Sequence, residues 1–183
     1  MFHENDLIEG CIKGERRWQR ALYDSYSKKM MVVCLRYCKG RQEAEDVLQE
    51  AFIKVFDNIK NYRGEASIDY WIKRIVINTA LNSQRSKLYL YPMVDVTDIQ
   101  IGSDKEFSLS GFHYEDLLKM IQDLPTGCQV IFNLYAIEGY KHHEIATMLN
   151  ISEGTSKSQY ARAKSLLQEM LRTSDGVIYE RYK

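Results

Sequence analysis

Only two prolines and ten glycines interrupt the 183 residues of this chain. These two residue types most often break regular structure, and a sandwich or barrel needs many turns that use them. Such a chain is expected to form long helices, and an all-β fold is disfavoured. A composition of 45% hydrophobic and 27% charged residues is that of an ordinary globular protein rather than a disordered one.

The amino terminus, MFHENDLIEG, has neither the basic segment nor the apolar segment of a secretory signal. No window of about 18 uninterrupted apolar residues occurs, as a membrane-spanning helix would require. The four cysteines are scattered without a CxxC pair, which favours buried thiols over a disulfide framework or a zinc site. These features predict a cytoplasmic protein.

The 25 basic and 25 acidic residues cancel overall, but they alternate in blocks along the chain. The balance is minus four over residues 43–57, plus four over 60–87, minus five over 92–116 and plus two over 153–172. Two basic blocks separated by an acidic one predict two separate contacts with a polyanion. For either block alone, a solvated helix face is the plainer interpretation.

The segment from Glu43 to Ile59 has the clearest helical pattern. At about 100° per residue, one face collects its apolar side chains: Leu48, Phe52, Val55 and Ile59. The opposite face is polar apart from one isoleucine: Asp46, Gln49, Glu50, Ile53 and Asp57. This pattern predicts a helix that packs by one side and leaves the other side exposed.

Ser67 is placed to cap the next helix, whose buried side is predicted to hold Trp71, Ile72, Ile75, Val76 and Thr79. Residues 91–111 have no sustained period and contain one proline, two glycines and several aspartates and serines. They predict a flexible linker, because a loop this long is unusual inside one compact domain. We therefore expect two helical domains, residues 1–90 and 112–183, joined by this linker.

The segment that begins at Tyr140, YKHHEIATMLNISEGTSKSQYARAKSLLQEML, has the pattern of a helix-turn-helix. Ile151 closes the turn and Ser152 caps the second helix. The exposed face of that helix carries short polar and basic side chains, which suit a reader of the major groove: Lys157, Ser158, Arg162, Lys164 and Ser165. A plain helical hairpin is the alternative, but the turn, the cap and the polarity together favour DNA binding.

No catalytic or metal-binding constellation is found in the sequence. The pair His143-Glu144 would begin a zinc-protease HExxH motif only with histidine at position 147, where Thr147 stands. Neither a G-x-S-x-G elbow nor a Walker phosphate loop occurs. We therefore expect a protein that is not an enzyme and that uses no metal or other cofactor.

Three stretches of the chain resemble the extracytoplasmic-function (ECF, group 4) sigma factors, the smallest class of bacterial promoter-recognition subunit. They are DVLQEAFIKVF from Asp46, YRGEASIDYWIKRIVINTALNSQR from Tyr62, and LPTGCQVIFNLYAIEGYKHHEIATMLNISEGTSKSQYARAK from Leu124. The resemblance runs from about Ala21 to Leu171, with the linker unmatched. It implies an all-α protein of two small helical domains, sigma region 2 and sigma region 4, that directs promoter-specific transcription initiation by RNA polymerase.

The resemblance also assigns residues to three interfaces. Those that match the helix docking on core polymerase are Asp46, Gln49, Glu50 and Ile53. Those that match the reader of the minus-10 element are Arg63, Gly64, Asn78, Asn82 and Arg85. The loop at residues 63–67 matches the part that receives a flipped base of the non-template strand. Those on or beside the recognition helix for the minus-35 element are Lys157, Ser158, Ala161, Arg162 and Lys164.

Two positions of the recognition helix depart from the commonest family pattern. Ser156 stands where valine is usual on the inner side, which makes the core slightly less apolar. Gln159 stands where arginine is usual, a change that bears on the base preference.

The partners implied by the resemblance are core RNA polymerase and promoter DNA, without membrane insertion. An anti-sigma protein is a further candidate, because the family often has one. Two other classes stay open from the residues alone. The first is a stand-alone helix-turn-helix regulator whose amino half dimerises, and the second is a purely protein-binding helical module. A dimerisation helix would favour a second apolar face, which the segment from Glu43 to Ile59 lacks.

Overall fold

The computed structural model describes residues 4–90 and 114–181, with side chains at 4–84 and 114–173. Every regular element in these ranges is helical, as the sequence predicts: α1 Glu4–Ile12, α2 Arg16–Tyr37, α3 Arg41–Asn58, a 3-10 turn Ile59–Asn61, α4 Ile68–Leu90, α5 Tyr114–Asp123, α6 Thr126–Phe132, a π-helical turn Asn133–Ile137, α7 His142–Leu149 and α8 Glu153–Arg181. Two compact units are formed, Met1–Arg85 and Ser86–Lys183. The predicted linker at residues 91–111 lies outside the described residues. None of the helices described has the length and apolarity needed to cross a membrane.

In the first unit, α2 packs along α3, and α1 packs on α2 and on the 3-10 turn. The predicted apolar stripe of α3 is confirmed, since no member is more than 3% exposed: Leu48, Phe52, Val55 and Ile59. Burying one such side chain stabilises the fold by about 1.5–3 kcal/mol. Gly10 lies directly under the indole of Trp18, where a Cβ atom would overlap the ring, so the corner between α1 and α2 requires glycine.

The start of α4 is fixed by local and tertiary hydrogen bonds. The Ser67 hydroxyl accepts from the Tyr70 N–H at 3.3 Å, which confirms the predicted cap. The Lys29 ammonium donates to both carboxylate oxygens of Asp69 at 2.8 Å and ties α4 to α2. Further along, the Gln84 amide donates to the Glu43 carboxylate of α3 at 2.8 Å. These contacts hold α4 against both α2 and α3.

In the second unit, α6 and α7 pack against α8. A core cluster joins α5, α6 and α8: Met120, Leu124, Cys128, Phe132, Ala163 and Leu167. After α6 the helix widens into the π-helical turn, and Gly139 ends this segment at φ 80°, a left-handed conformation that favours glycine.

All four cysteines are buried and none forms a disulfide, which agrees with the prediction of buried thiols. Burial raises the pKa of Cys11 to about 11 and that of Cys34 to about 12. Both are therefore protonated at neutral pH, and a protonated thiol is a poor nucleophile.

Candidate functional site

One side of α3 is exposed along its length. Asp46, Gln49 and Glu50 are exposed, and Ile53 is 61% exposed. The sequence therefore placed these four residues on the correct face, opposite the buried stripe. Glu50 accepts a hydrogen bond from Lys54 at 2.6 Å, whereas Asp46 makes no ion pair with the described residues. An exposed pair of this kind contributes at most about 1 kcal/mol, so the Glu50 carboxylate stays available to a partner. We call these four residues the acidic face of α3.

A cleft of about 420 Å³ opens beside that face, between the carboxyl end of α3 and the middle of α4. Four asparagines line it, together with an apolar wall and two further polar side chains: Lys54, Asn58, Asn61, Trp71, Ile75, Asn78, Thr79 and Asn82. Asn78 and Asn82, predicted from the sequence, are exposed here. The prediction of a buried Trp71 and Ile75 is only half correct, because both border the cleft and are half-buried. We call this feature the amide cleft.

The side chains of the amide cleft can bind a nucleobase. Asn61, Asn78 and Asn82 make no side-chain hydrogen bond with the residues that the structure describes, and each carboxamide offers a donor and an acceptor. Asn58 already donates to the carbonyl of Lys54 at 2.8 Å, which leaves its oxygen as an acceptor. An unpaired base can stack on an aromatic ring such as Trp71, at about 1–3 kcal/mol per base.

The loop at residues 63–67 precedes α4 and is exposed throughout. Gly64 has φ 72°, a left-handed conformation that glycine adopts without strain. Arg63 extends into solvent and approaches Glu65 only to 3.9 Å. The side chain of Arg85, the fifth predicted residue of this group, lies outside the described residues.

The helix-turn-helix predicted from the sequence is present as α7, a turn and α8. The first helix is capped by Glu144, whose carboxylate accepts from the Lys141 N–H at 2.7 Å. Asn150 ends it at φ 55° in the left-handed region. The Ser152 hydroxyl accepts from the Thr155 N–H at 2.9 Å and so caps α8, as predicted. These caps fix the start of both helices.

The predicted reading residues of α8 differ in exposure and in their contacts within the chain. Lys157 and Arg162 are exposed, whereas Ser158, Ala161 and Lys164 are half-buried. The Lys157 ammonium pairs with Glu153 at 2.7 Å, and the Ser158 hydroxyl donates to the Thr155 carbonyl at 3.1 Å. The Lys164 ammonium stands 5.3 Å from the centre of the Tyr160 ring. Arg162 makes no ion pair with the described residues.

Gln159 is not part of this reading surface. It is only 5% exposed, and its side-chain oxygen accepts from the thiol of Cys128 at 3.1 Å. Gln159 therefore does not take the place of the usual arginine on the surface, and the effect of this change on base preference stays a prediction. Its position one turn before Ala163, which is fully buried, directs it into the contact between α6 and α8.

His142 was not singled out in the sequence, yet it joins three elements of the second unit. Its ring stacks on Tyr135 with centroids 4.2 Å apart and planes 12° apart, and its Nδ1 lies 2.9 Å from the hydroxyl of Ser156. Burial lowers the pKa of His142, and the nearby Lys157 lowers it further, while Glu153 opposes them. The signal in the sequence that points to this contact is Ser156, a polar residue on the predicted inner side of α8. It is buried in the structure, and a buried hydroxyl needs a hydrogen-bond partner.

Comparisons with known proteins agree with this architecture. Residues 22–88 match Sigma-70 region 2, and residues 114–167 match Sigma-70 region 4. The RNA polymerase sigma-H factor of Pseudomonas aeruginosa is 29% identical over 184 residues, covering 92% of this chain and 93% of the relative. The ECF RNA polymerase sigma-E factor of Escherichia coli K12 is 28% identical over 173 residues, covering 88% and 90%.

Among solved structures, the sigma factor RpoE in complex with the anti-sigma factor NepR from Bartonella quintana has a similar fold. The TM-score is 0.53 at 18% identity, over 84% of this chain and 96% of that chain.

Region 2 followed by region 4 on one helical chain defines a bacterial sigma factor, the subunit that binds core RNA polymerase and promoter DNA and directs initiation at specific promoters. Such a protein is an initiation factor and not an enzyme. The chain belongs to the extracytoplasmic-function family of sigma factors.

Proposed function

We propose that this sigma factor docks on core RNA polymerase through the acidic face of α3: Asp46, Gln49, Glu50 and Ile53. The observation that carries the proposal is the two-sided helix, in which a stripe no more than 3% exposed stands opposite a continuous exposed face. The carboxylates can pair with basic side chains of the polymerase, and Ile53 offers apolar surface at the same place. Complementary charge would also steer the encounter between the two proteins.

We propose that the amide cleft and the 63–67 loop bind the melted minus-10 element, with Arg63, Gly64, Asn78, Asn82 and Arg85 as the contacting residues. Asparagine is too short to cross a duplex backbone, but it can pair with the edge of an unpaired base. Flipping a base out of the stack costs a few kcal/mol, and stacking of that base on Trp71 can offset this cost. The basic block of residues 60–87 supplies attraction to the strand.

We propose that the exposed face of α8 reads the minus-35 element as duplex DNA through Lys157, Ser158, Ala161, Arg162 and Lys164. Arg162 is exposed and has no ion pair with the described residues, so it can reach a base edge without breaking an internal contact. Ser158 and Ala161 are short and allow the helix backbone to approach the groove. Lys157 and Lys164 would contact the phosphates on either side.

The same proposal assigns domains and a location. Residues 1–90 would form the polymerase and minus-10 domain, residues 91–111 the linker, and residues 112–183 the minus-35 domain with a short tail. The protein would act in the cytoplasm, where polymerase and promoters are. Because the Bartonella relative is seen with an anti-sigma factor, such a protein is a candidate partner here as well.

Size-exclusion chromatography with bacterial core RNA polymerase tests the proposal. The protein should co-elute with core, and the complex should produce run-off transcripts from specific promoters that core alone does not. Binding to promoter DNA without co-elution would indicate a stand-alone regulator. Co-elution without promoter-dependent transcripts would indicate a protein-binding module.

A further inference from the structure

Tyr62 begins the segment that leads into the 63–67 loop. Its hydroxyl donates to the carbonyl of Ala66 at 2.6 Å. Its ring meets the ring of Trp71 edge-on, with centroids 5.6 Å apart and planes at 61°. One side chain therefore closes the loop and also connects it to the apolar wall of the amide cleft.

Residues 63–66 of this loop have few other contacts in the described part of the chain, whereas Ser67 is held at the start of α4 by its bonds to Tyr70 and Trp71. All five of its residues are exposed, and nothing lies within 4 Å of the place where a Cβ atom on Gly64 would stand. The pair between Arg63 and Glu65 is long and solvated, at 3.9 Å. An exposed loop with so few contacts samples many conformations unless a specific bond limits it. The bond from Tyr62 to Ala66 spans the loop and supplies that limit.

The hydroxyl of Tyr62 is a donor throughout the physiological pH range. Burial raises the pKa of this phenol, and the carboxylate of Glu4 raises it further. The ring of Tyr62 is also half-buried, so its orientation is set by packing as well as by the bond. The bond and the ring contact can therefore be separated by a single substitution, Tyr62→Phe, which removes one oxygen atom and keeps the ring.

We propose that the Tyr62 hydroxyl is a positioning group that holds the 63–67 loop in the shape that selects the flipped base. The inference rests on the proposed function of that loop. Tyr62 acts through the loop backbone: by fixing the Ala66 carbonyl it limits the conformations of residues 63–65, which are exposed and would contact the base. A loop without the bond can still bind a flipped base, but it adapts its shape to any of the four. The discrimination among bases therefore falls more than the affinity for the flipped base.

The test uses holoenzyme on promoter templates whose minus-10 segment is already mismatched, with each of the four bases in turn at the flipped position. The measurement is the lifetime of the open complex on each template. A hydrogen bond of this kind corresponds to a factor of about 2 to 12. In Tyr62→Phe we expect the open-complex lifetime with the preferred base, divided by the lifetime with each other base, to fall by such a factor. Binding to core and to a duplex minus-35 fragment should be unchanged.

Tyr70→Phe is the matched control. Tyr70 lies on α4, is 48% exposed, and its hydroxyl makes no hydrogen bond within the described part of the chain. The Tyr70→Phe holoenzyme should therefore have the base preference of the wild type. Full preference in Tyr62→Phe would overturn the proposal. An equal loss on all four templates would also overturn it, because that is the effect of a merely structural bond.

A loop variant separates this proposal from the one on which it rests. Tyr62→Phe/Arg63→Gly/Glu65→Gly/Ala66→Gly removes the hydroxyl that bonds to the carbonyl of residue 66 and also frees the loop backbone. If this variant keeps the base preference, the 63–67 loop does not receive the base and the assignment of the loop is wrong. If this variant loses the preference and Tyr62→Phe keeps it, only the role of the hydroxyl is refuted.

Discussion

The exposed surfaces of the two compact units have different chemistry. In the unit Met1–Arg85, the acidic face of α3 lies beside a cleft lined by four carboxamides and one charged side chain, Lys54. In the unit Ser86–Lys183, the recognition helix presents Lys157, Arg162 and Lys164 with hydroxyl and methyl groups between them. Acidic and amide surfaces suit a protein partner and unpaired bases, whereas a cationic helix suits the phosphates and grooves of a duplex.

The two surfaces also differ in how far their side chains are already engaged within the chain. Asn61, Asn78 and Asn82 of the cleft make no side-chain hydrogen bond with the described residues, so a ligand meets groups that are free to bind. On α8, Lys157 forms an ion pair with Glu153, and the Ser158 hydroxyl donates to the carbonyl of Thr155. The contrast indicates that these three asparagines can bind with little rearrangement. Lys157 and Ser158 would have to exchange internal contacts for the proposed DNA contacts, whereas Arg162 would not.

The largest expected effect is the loss of polymerase binding when the charges on the acidic face of α3 are reversed. Asp46→Lys/Glu50→Lys changes two exposed residues and leaves the buried stripe intact, so folding should persist. Removing one partner of a charge pair at a protein interface costs about 2–5 kcal/mol, and reversal adds repulsion. Affinity for core polymerase should fall at least about 30-fold, measured by fluorescence anisotropy, with circular dichroism as the check on folding.

A matched control is Glu9→Lys/Asp24→Lys, which makes the same change in charge at exposed positions of α1 and α2. It should bind core normally. If both double variants lose affinity equally, net charge and not the acidic face of α3 governs binding. The charge reversal on α3 should also leave the binding of a duplex minus-35 fragment unchanged, because the proposed minus-35 surface lies in the other unit.

The second effect concerns Arg162. Replacing it by alanine should weaken full-chain binding to a duplex minus-35 fragment by about 1–3 kcal/mol if its guanidinium reads a base edge. Titrations at several salt concentrations separate the two roles, since loss of a phosphate contact lowers the salt slope and affects all sequences alike. Arg172→Ala, on the same helix and also exposed, is the control. Unchanged binding by Arg162→Ala would remove this residue from the interface.

The smallest effect is a pH dependence confined to the second unit. The pKa of His142 is lowered in the folded protein, so the folded state favours the neutral ring. Acidification therefore destabilises the fold, beginning as the pH falls through the ordinary histidine pKa of about 6.5 and levelling off below the lowered folded value. Thermal melts between pH 7.5 and 5.5 should show this loss in the wild type.

His142→Phe keeps an aromatic ring against Tyr135 but cannot titrate, so its melting temperature should change less with pH than that of the wild type. His143→Phe alters the exposed neighbour and should retain the wild-type response. Identical pH profiles for the wild type and His142→Phe would show that the titration of His142 does not contribute to the pH dependence of stability.

Some of these features follow from the sequence, and others depend on contacts between elements. The stripe of α3 and the caps Ser67 and Ser152 are local patterns, because helical period and capping chemistry act within a few residues. The amide cleft is not local: it exists because the end of α3 lies beside α4, which brings Asn58 and Asn78, 20 positions apart in the chain, into the lining of one cleft. Nothing in the period of either helix encodes that crossing.

Gln159 shows that the burial of a single polar residue can also depend on a partner from another helix. Its helical position lies at the border between the inner and outer faces of α8, where a polar side chain is expected to be exposed. The nearby Cys128 on α6 offers it a partner, and the pair is buried together. The half-buried His142 and the buried Ser156 form a second polar pair between helices. Such pairs are found only when both helices are placed, because neither residue alone shows which partner it has.

The division of labour between the units can be tested most directly with Asn78→Ala holoenzyme. Asn78 is exposed in the amide cleft, so the substitution should leave folding and the binding of a duplex minus-35 fragment unchanged. Asn5→Ala, an exposed asparagine of α1, is the control. Permanganate footprinting on a matched template and on one with a mismatched minus-10 segment reports how far the promoter is melted. We predict poor opening of the matched template by Asn78→Ala and partial recovery on the mismatched one, and normal opening of the matched template by a fully stable Asn78→Ala protein would contradict the account.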